Sequence, residues 1–326
     1  MKDYRIDQLR NVVLLSHGSA GKTSLVEAML FDSGAIKRLG RVEEGTTVSD
    51  YDEEEIRRRI SLNLSILPCE WKGHKLNIMD TPGYADFIGE VISAVWVADG
   101  VVLLLDAVSG VEVGTEQMWS KADERALPRL VVINKMDREN ADFYRSLEAL
   151  KSNFKANFIP VQLPLGSQAD FEGVIDLVTL KAYRGDKAQE VEVPADLRDT
   201  VDEYRLQLAE AAAESDDALI EKYLEGEELT TEELQRGLRA ATLAGDVVPV
   251  LCAAATANIG IQPLMDAIVA YLPSPADAPP VKATNPATGE EETLAPDSAG
   301  PLAVQVFKTL ADPYVGKLSY LSLIHI

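Results

Sequence analysis

The chain has 326 residues, of which 46% are hydrophobic, and its formal net charge is −22. This length and hydrophobic content are enough for a large core and for more than one domain. The negative charge argues against a protein that binds nucleic acid over a broad basic surface. Because no apolar stretch is as long as the roughly 18 residues of a membrane-spanning helix, and the start is polar, we expect a cytoplasmic protein with no membrane partner.

The first predicted strand, residues 11–15, leads into a loop with the composition of a phosphate-binding loop. The loop and helix start read Ser16, His17, Gly18, Ser19, Ala20, Gly21, Lys22 and Thr23, and a helical run from Ser24 to Leu30 follows. Backbone N–H groups of such a loop surround the phosphates, Lys22 contacts the β- and γ-oxygens, and Thr23 binds Mg²⁺. We therefore predict nucleotide contacts from His17 to Thr23. Ser16 replaces the first glycine of the general pattern, and an ordinary helix start remains the alternative.

A second motif follows the predicted strand at residues 76–79 and reads Asp80, Thr81, Pro82 and Gly83. Asp80 at a strand end can hold Mg²⁺, as the Walker-B carboxylate of nucleotide hydrolases does. Gly83 has no side chain, so its N–H can approach a γ-phosphate closely. The same four residues are also typical of a plain turn.

A third motif, Asn134, Lys135, Met136 and Asp137, follows the apolar run at residues 130–133. Asp137 can accept hydrogen bonds from the N1–H and the exocyclic amine of guanine, whereas adenine would leave its carboxylate unpaired. Such a site can reject the wrong base by roughly 10⁴-fold or more. Asn134 would brace the neighbouring loops, and the stem of Lys135 would lie over the base. The three motifs, in this order and each after a hydrophobic strand, indicate a guanine-nucleotide-binding domain.

The arrangement of apolar runs predicts the fold class. Strand-like runs at residues 11–15, 76–79, 101–106, 130–134 and 248–252 alternate with helical stretches. This alternation predicts an α/β fold, a P-loop doubly wound and mostly parallel sheet with ligands at the carboxyl ends of its strands. Between residues 158 and 246 the pattern changes to an α+β insert. We predict there a strand at Gly173–Leu177, acidic helices near Leu197–Tyr223 and Thr231–Ala244, and a capping box formed by Thr230 and Glu233.

These patterns divide the chain into parts. We predict a GTP-binding domain at residues 1–157 and 247–280, an insert at 158–246 and a linker at 281–300, and the family resemblance given below implies the incomplete start of a β-barrel domain at 301–326. Two antiparallel strands cannot close a barrel, so their edges would remain unpaired. Cys69 and Cys252 lie in or beside apolar runs, and we expect both to be buried, reduced thiols.

Charged residues are unevenly distributed along the chain. Acidic residues far outnumber basic ones between Asp186 and Glu233. This run is either a solvated helix face or a docking surface for a basic protein. The compact basic run Arg57–Arg59 follows Asp52–Glu55, so it either contacts RNA or balances those acids.

Most of the chain resembles the amino-terminal part of the elongation factor G family of translational GTPases. Beyond the nucleotide motifs, the similar segments are Val248–Cys252, Gly260–Leu264, Tyr271–Pro275, Phe307–Lys308 and Asp312–Leu318. The resemblance implies that GTP is hydrolysed to GDP and phosphate on the ribosome, with GTP/GDP and Mg²⁺ as ligands. It also implies a monomer whose full-length form has ribosomal RNA and ribosomal proteins as partners. The ending at 322–326 departs from the family, so we expect a truncated or misassembled reading frame.

The departures from the family pattern all fall in the predicted site. Ser19 replaces an aspartate, and the first switch reads Arg58, Arg59, Ile60 and Ser61 where the family has Arg-Gly-Ile-Thr, so Ser61 would bind Mg²⁺ in place of threonine. The guanine-contacting Ser-Ala pair is replaced by Ala254 and Ala255, which keep only their backbone N–H groups. These changes resemble a divergent paralogue branch of the family.

Tyr84 is the most consequential departure, because the family has there a histidine that orients the attacking water. We predict Tyr84, Lys22 and Gly83 as the catalytic residues. A phenol can hold a water molecule but cannot become a cation beside a phosphate. The alternative is a nucleotide-gated, ribosome-associated binding protein with negligible hydrolysis. A Tyr84 that only packs under the switch helix, and a role in protecting ribosomes, also remain open.

Overall fold

The computed structural model describes residues 3–296, 300, 302–312 and 316–323. The strands in chain order are β1 (Leu9–Leu15), β2 (Ser65–Trp71), β3 (His74–Asp80), β4 (Gly100–Asp106), β5 (Arg129–Asn134), β6 (Phe158–Pro160), β7 (Gln162–Leu165), β8 (Gly173–Asp176), β9 (Lys181–Arg184), β10 (Gln189–Val191), β11 (Val248–Cys252), β12 (Val281–Thr284), β13 (Glu291–Leu294), β14 (Val304–Asp312) and β15 (Gly316–Leu323). The α-helices are α1 (Lys22–Asp32), α2 (Glu53–Arg58), α3 (Ile88–Val95), α4 (Val113–Asp123), α5 (Phe143–Asn153), α6 (Arg198–Ala213), α7 (Asp217–Leu224), α8 (Thr231–Ala244) and α9 (Ile261–Tyr271). None of the described helices is long and apolar enough to cross a membrane.

The main domain is built on a sheet that, within the described residues, has seven strands in the order β2-β3-β1-β4-β5-β11-β6. All neighbouring strands pair in parallel except β2, which runs antiparallel to β3. The five predicted apolar runs all lie in this sheet, as β1, β3, β4, β5 and β11. The predicted α/β fold with a mostly parallel, doubly wound sheet is therefore confirmed.

The strands at the centre of this sheet are continuous hydrophobic runs because they are buried. Nearly all side chains of β4 and β5 are buried, as expected for parallel strands that helices cover on both faces. Cys69 and Cys252 are buried free thiols, and burial raises the pKa of Cys69 to about 11.

The strand register aligns Leu14 with Asp80 and Asp106 with Asn134. The loops that carry the three predicted motifs therefore leave the sheet at the same edge.

The boundary of the insert lies later than predicted. Phe158–Pro160 pairs in parallel with β11 in the main sheet, although the sequence placed this segment in the insert at residues 158–246. A separate antiparallel sheet, with the order β10-β9-β8-β7 among the described residues, then begins at Gln162. Strand β8 confirms the strand predicted at Gly173–Leu177.

The acidic part of the insert contains a helix break that the sequence analysis missed. The prediction of one helix over Leu197–Tyr223 was wrong, because α6 ends at Ala213 and α7 begins at Asp217. The carboxylate of Asp216 accepts hydrogen bonds from backbone N–H groups at the start of α7, so a new helix begins there. The helix predicted at Thr231–Ala244 has those bounds, and its predicted capping box is present.

The carboxyl-terminal segments form two hairpins. The predicted linker at 281–300 contains one of them, because β12 and β13 pair antiparallel around a turn in which Gly289 N–H donates to Asn285 O (2.7 Å). Strands β14 and β15 form the other, at the predicted start of a β-barrel. Residues 313–315 of the family-like segment, and 324–326 of the unusual ending, lie outside the described residues.

Candidate functional site

The phosphate-binding loop connects β1 to α1, as predicted. Lys22 is buried, and its Nζ donates to the Oγ of Ser16 at 2.7 Å. Ser16 therefore supplies a side-chain acceptor at the position where the general pattern has glycine. Burial lowers the pKa of Lys22 to about 8, although the charges of Asp80 and Asp50 oppose part of this shift. A bound phosphate would favour the charged form of this buried amine.

Three predicted metal-binding groups meet beside this lysine. Thr23 Oγ1 donates to Asp80 Oδ2 at 2.8 Å and lies 2.9 Å from Ser61 Oγ. The other carboxylate oxygen of Asp80, Oδ1, is buried and has no hydrogen-bond partner among the described residues. Burial raises the pKa of Asp80, and a cation would relieve this cost. Two hydroxyls and a carboxylate are hard oxygen donors of the kind that Mg²⁺ prefers, so the residues fit this ion.

Sequence reasoning missed two residues beside this cluster, Ser49 and Asp50. Ser49 Oγ donates to Asp80 Oδ2 at 2.7 Å, and both new residues are buried. Burial raises the pKa of the Asp50 carboxylate to about 6, although a hydrogen bond from Ser61 opposes part of this shift. Asp50 thus offers a second carboxylate near the cation position. The available signal was the hydroxyl-rich run at residues 46–50, just before the acidic helix α2.

Gly83 and Tyr84 bring the end of β3 against the phosphate-binding loop. A Cβ atom at Gly83 would lie 2.7 Å from Lys22 Nζ and 2.8 Å from Gly18 Cα, so a side chain there would displace the loop. The ring of Tyr84 covers Gly18, and its hydroxyl lies 3.4 Å from Ser19 Oγ. Tyr84 therefore lies against the phosphate-binding loop.

The base-binding end of the site is organised by Asn134 and Lys135. Asn134 Nδ2 donates to Ala20 O (2.9 Å), and its Oδ1 accepts from the N–H of Ala255 (3.1 Å). Asn134 therefore braces the phosphate-binding loop against the loop after β11, as the sequence suggested. Lys135 Nζ donates to Asp106 Oδ2 at 2.7 Å, which fixes the direction of its stem.

Asp137 carries an acceptor without a partner. Its Oδ1 is covered by protein but accepts no hydrogen bond within the described part of the chain. A covered acceptor that stays unpaired costs free energy, on the order of 1–3 kcal/mol. The N1–H and amine of guanine are donors of the kind that would remove this cost.

Ala254, Ala255 and His17, which were predicted to contact the nucleotide, have other partners in this structure. The N–H of Ala254 donates to Ile259 O (3.0 Å), and the N–H of Ala255 donates to Asn134. A guanine oxygen would have to share or replace these bonds. The imidazole Nε2 of His17 lies 3.2 Å from Glu112 Oε2, so its side chain points to the loop before α4.

An open cavity of about 250 Å³ joins the phosphate end to the base end. The predicted site residues that line it are Ser19, Gly21, Lys22, Thr23, Ser61, Gly83, Tyr84, Asn134, Lys135 and Ala255. His17, Gly18, Ala20, Asp80, Asp137 and Ala254 are not among its lining residues. Arg59, which was not predicted for the site, also lines it.

A phosphate-binding loop after β1, an aspartate at the end of β3 and the Asn-Lys-Met-Asp motif after β5 define a P-loop guanine-nucleotide-binding domain. Comparison with known families supports this class, because the elongation factor Tu GTP-binding domain family matches residues 7–274. The chain belongs to this family, and within it the chain is elongation factor G-like. The resemblance inferred from the motifs is therefore confirmed.

Individual relatives give the extent of the similarity. Elongation factor G of Thermotoga petrophila is 46% identical over 320 residues, which cover 97% of this chain and 46% of the relative. Elongation factor G of Thermotoga maritima is 45% identical over the same length. A crystal structure of a protein from Thermus thermophilus has a TM-score of 0.86 and 38% identity, covering 98% of this chain and 46% of that chain. The chain spans about half the length of the relatives it matches.

Proposed function

We propose that the chain binds GTP with Mg²⁺ and hydrolyses it to GDP and phosphate as a translational GTPase. The observation that carries this proposal is the grouping of Thr23, Ser61 and Asp80 beside the buried Lys22. Asp80 Oδ1 and Asp137 Oδ1, at the two ends of the site, are covered acceptors that lack partners among the described residues. A cation and a guanine base would satisfy them.

Each residue at the phosphate end has a role in this proposal. Lys22 would neutralise charge on the β- and γ-oxygens, and the N–H of Gly83 would donate to a γ-oxygen. Thr23, Ser61 and Asp80 would hold Mg²⁺, which would neutralise phosphate charge when bound. The hydroxyl of Tyr84 would hold the attacking water in line with the bond that breaks.

The partner in this proposal is the ribosome, through its RNA and its proteins. Support comes from the relatives named elongation factor G, which the chain matches over about half of their length. The acidic helices of the insert would suit a basic ribosomal protein. The proposal places the protein in the cytoplasm as a monomer.

A second candidate function is a nucleotide-gated, ribosome-associated binding protein with negligible hydrolysis. The contacts of Tyr84 favour it, because the ring lies on Gly18 and the hydroxyl lies 3.4 Å from Ser19 Oγ. A phenol held in this way carries no positive charge toward a phosphate.

Single-turnover hydrolysis of GTP, with and without ribosomes, separates the two functions. A GTPase forms GDP and phosphate in one turnover, and ribosomes accelerate that turnover. Tight binding of GTP without turnover in either condition would replace the first proposal by the second. Turnover that ribosomes do not accelerate would retain the hydrolysis and remove the ribosome from the proposal.

The substitution Tyr84→His tests the role of the phenol. If Tyr84 holds the attacking water, an imidazole that can also carry charge should raise the rate, by about 10²-fold for one well-placed group. Tyr84→Phe keeps the ring on Gly18 but loses the hydroxyl, so it should lower the rate. Equal rates for all three proteins, with equal GTP affinity, would remove Tyr84 from the catalytic residues.

A further inference from the structure

Arg59 has a backbone conformation that rarely suits a side chain. It follows α2 in the left-handed region, with φ 58° and ψ 38°. Glycine adopts this conformation without steric cost, and the resembling family has glycine at this position. Strained non-glycine residues concentrate at functional sites, where the side chain has a purpose that offsets the strain. The side chain of Arg59 therefore needs an explanation.

The position of Arg59 places it at the phosphate end of the cavity. It lines the cavity together with Lys22, Gly83 and Tyr84. It also precedes Ser61 by two residues, so their Cα atoms lie within about 7 Å of each other. Because Ser61 Oγ is 2.9 Å from Thr23 Oγ1, the long side chain of Arg59 begins close to where a γ-phosphate would lie.

The charge of Arg59 is not used elsewhere in the described part of the chain. Its neighbours Arg57 and Arg58 both form ion pairs with Glu54, at 2.5 Å for Arg57. No ion pair or side-chain hydrogen bond joins Arg59 to any of the described residues. Of the three arginines in this basic run, Arg59 is thus the one available to an anion in the cavity.

We propose that Arg59 is a catalytic arginine supplied in cis, which contacts the γ-phosphate and provides the positive charge that Tyr84 cannot provide. This inference rests on the proposed hydrolysis of GTP. The water oxygen forms a bond to the γ-phosphorus, and the bond from that phosphorus to the β–γ bridging oxygen breaks. The electron pair stays on GDP, and the protons of the water leave with the phosphate. A guanidinium donates two parallel hydrogen bonds to phosphate oxygens and remains charged.

The size of the expected effect is large. An arginine that contacts the transferring phosphoryl group accelerates phosphoryl transfer by about 10³–10⁵-fold. A group supplied in cis acts without a partner, so its contribution should be visible in hydrolysis without ribosomes. Hydrolysis measured without ribosomes also separates this proposal from the alternative in which the basic run Arg57–Arg59 contacts ribosomal RNA.

The variants Arg59→Gly and Arg59→Lys, with Arg57→Ala as the matched control, test the proposal. Glycine suits the backbone at this position, so Arg59→Gly should fold as well as the wild type. Three quantities are measured without ribosomes: single-turnover hydrolysis, affinity for fluorescent GDP and a non-hydrolysable GTP analogue, and the increase in GDP affinity caused by aluminium fluoride. Arg59→Gly should keep its GDP affinity, lose about 10³-fold or more in rate, and lose the effect of aluminium fluoride. Arg59→Lys should be intermediate, and Arg57→Ala should behave as the wild type.

Two results would count against the proposal in different ways. A wild type that hydrolyses GTP, together with an Arg59→Gly variant that does so equally well and still responds to aluminium fluoride, would overturn it. A wild type that never hydrolyses GTP would instead refute the proposed function. In that case weaker binding of the GTP analogue by Arg59→Gly would retain the γ-phosphate contact, and equal binding would overturn that contact too.

Discussion

Tyr84 and Gly18 fit together as a pair, because the ring of one occupies the space that a side chain of the other would need. A Cβ atom at Gly18 would lie 3.0, 3.1 and 3.2 Å from three ring atoms of Tyr84. Such distances are shorter than ordinary van der Waals contacts, so a side chain there would push the ring away. The close approach of the ring explains the glycine at this position.

Gly18→Val should displace the ring of Tyr84 from the phosphate-binding loop and lower the rate of GTP hydrolysis. The same change in a Tyr84→His background should cost less, because the smaller imidazole can move aside. Residues in contact usually show coupling energies of about 0.5–3 kcal/mol, which a double-mutant cycle on the single-turnover rates would measure. Gly89→Val is the control, since a Cβ at Gly89 meets open space. Purely additive effects would show that the pair does not act together.

The motif residues could be predicted from the sequence because each motif is a local pattern after an apolar strand. Ser49, Asp50 and Arg59 could not, because their contacts with the site depend on how the chain folds back after α1. Asp50 is separated from Asp80 by two strands and a helix, so no spacing rule connects them. The acceptor of Lys22, Ser16 Oγ, was visible only as a departure from the glycine of the general pattern.

Among the elements, those with a strong hydrophobic period were predicted best. The parallel strands are long apolar runs, and α8 has a capping box at its start and Gly245 in the left-handed conformation at its end. The break between α6 and α7 was missed because Asp216 stands in an acidic run where one more carboxylate carries no signal. The hairpin of β12 and β13 was missed because its strands are short, polar and mostly exposed.

At the amino-terminal edge of the main sheet, Asp99 joins β4 to β1. Its Oδ2 accepts from Asn11 Nδ2 at 2.8 Å, and its backbone N–H donates to Asn11 O at 2.9 Å. Burial raises the pKa of Asp99 to about 7, although the Asn11 hydrogen bond and the charge of Arg10 oppose the shift. The nearby Asp277 adds to it. At pH values between the ordinary pKa of an aspartate and about 7, Asp99 therefore keeps a proton in the folded state that it has lost in the unfolded state.

The stability that Asp99 contributes should accordingly be present at low pH and lost as the pH rises toward 7. The loss is on the order of 2–4 kcal/mol over that range. Asp99→Asn cannot ionise, so its stability relative to the wild type should increase from pH 5 to pH 8. Urea unfolding of both proteins at the two pH values measures this change. A difference between the proteins that is the same at both pH values would mean that Asp99 titrates normally in the folded state.

At the scale of the whole molecule, Lys308 connects the hairpin of β14 and β15 to the GTP-binding domain. It is buried, and its Nζ donates to Leu64 O at 2.9 Å and to Glu90 Oε2 at 2.6 Å. Glu90 Oε2 also accepts the N–H of Leu64 at 2.7 Å. Leu64 follows Ser61 by three residues, and Glu90 lies in α3, which follows Tyr84. One ammonium group thus contacts both segments that leave the phosphate end of the site.

Lys308→Met should release the hairpin while the GTP-binding domain stays folded, because methionine fills most of the space of the lysine side chain but makes none of its hydrogen bonds. We expect a cost of about 1–3 kcal/mol, since Leu64 O and the carboxylate of Glu90 would each lose a donor. Hydrogen exchange should become faster in β14 and stay unchanged in β4 and β5. The exposed Lys317 on β15 provides the control, Lys317→Met.

The same contact predicts an effect of nucleotide on the hairpin. If a GTP analogue orders the segment around Ser61, the analogue should also slow hydrogen exchange in β14 of the wild type. Because coupling between two sites is reciprocal, Lys308→Met should then bind the analogue less tightly relative to GDP. Unchanged exchange in β14 would show that the Lys308 contact does not join the two parts.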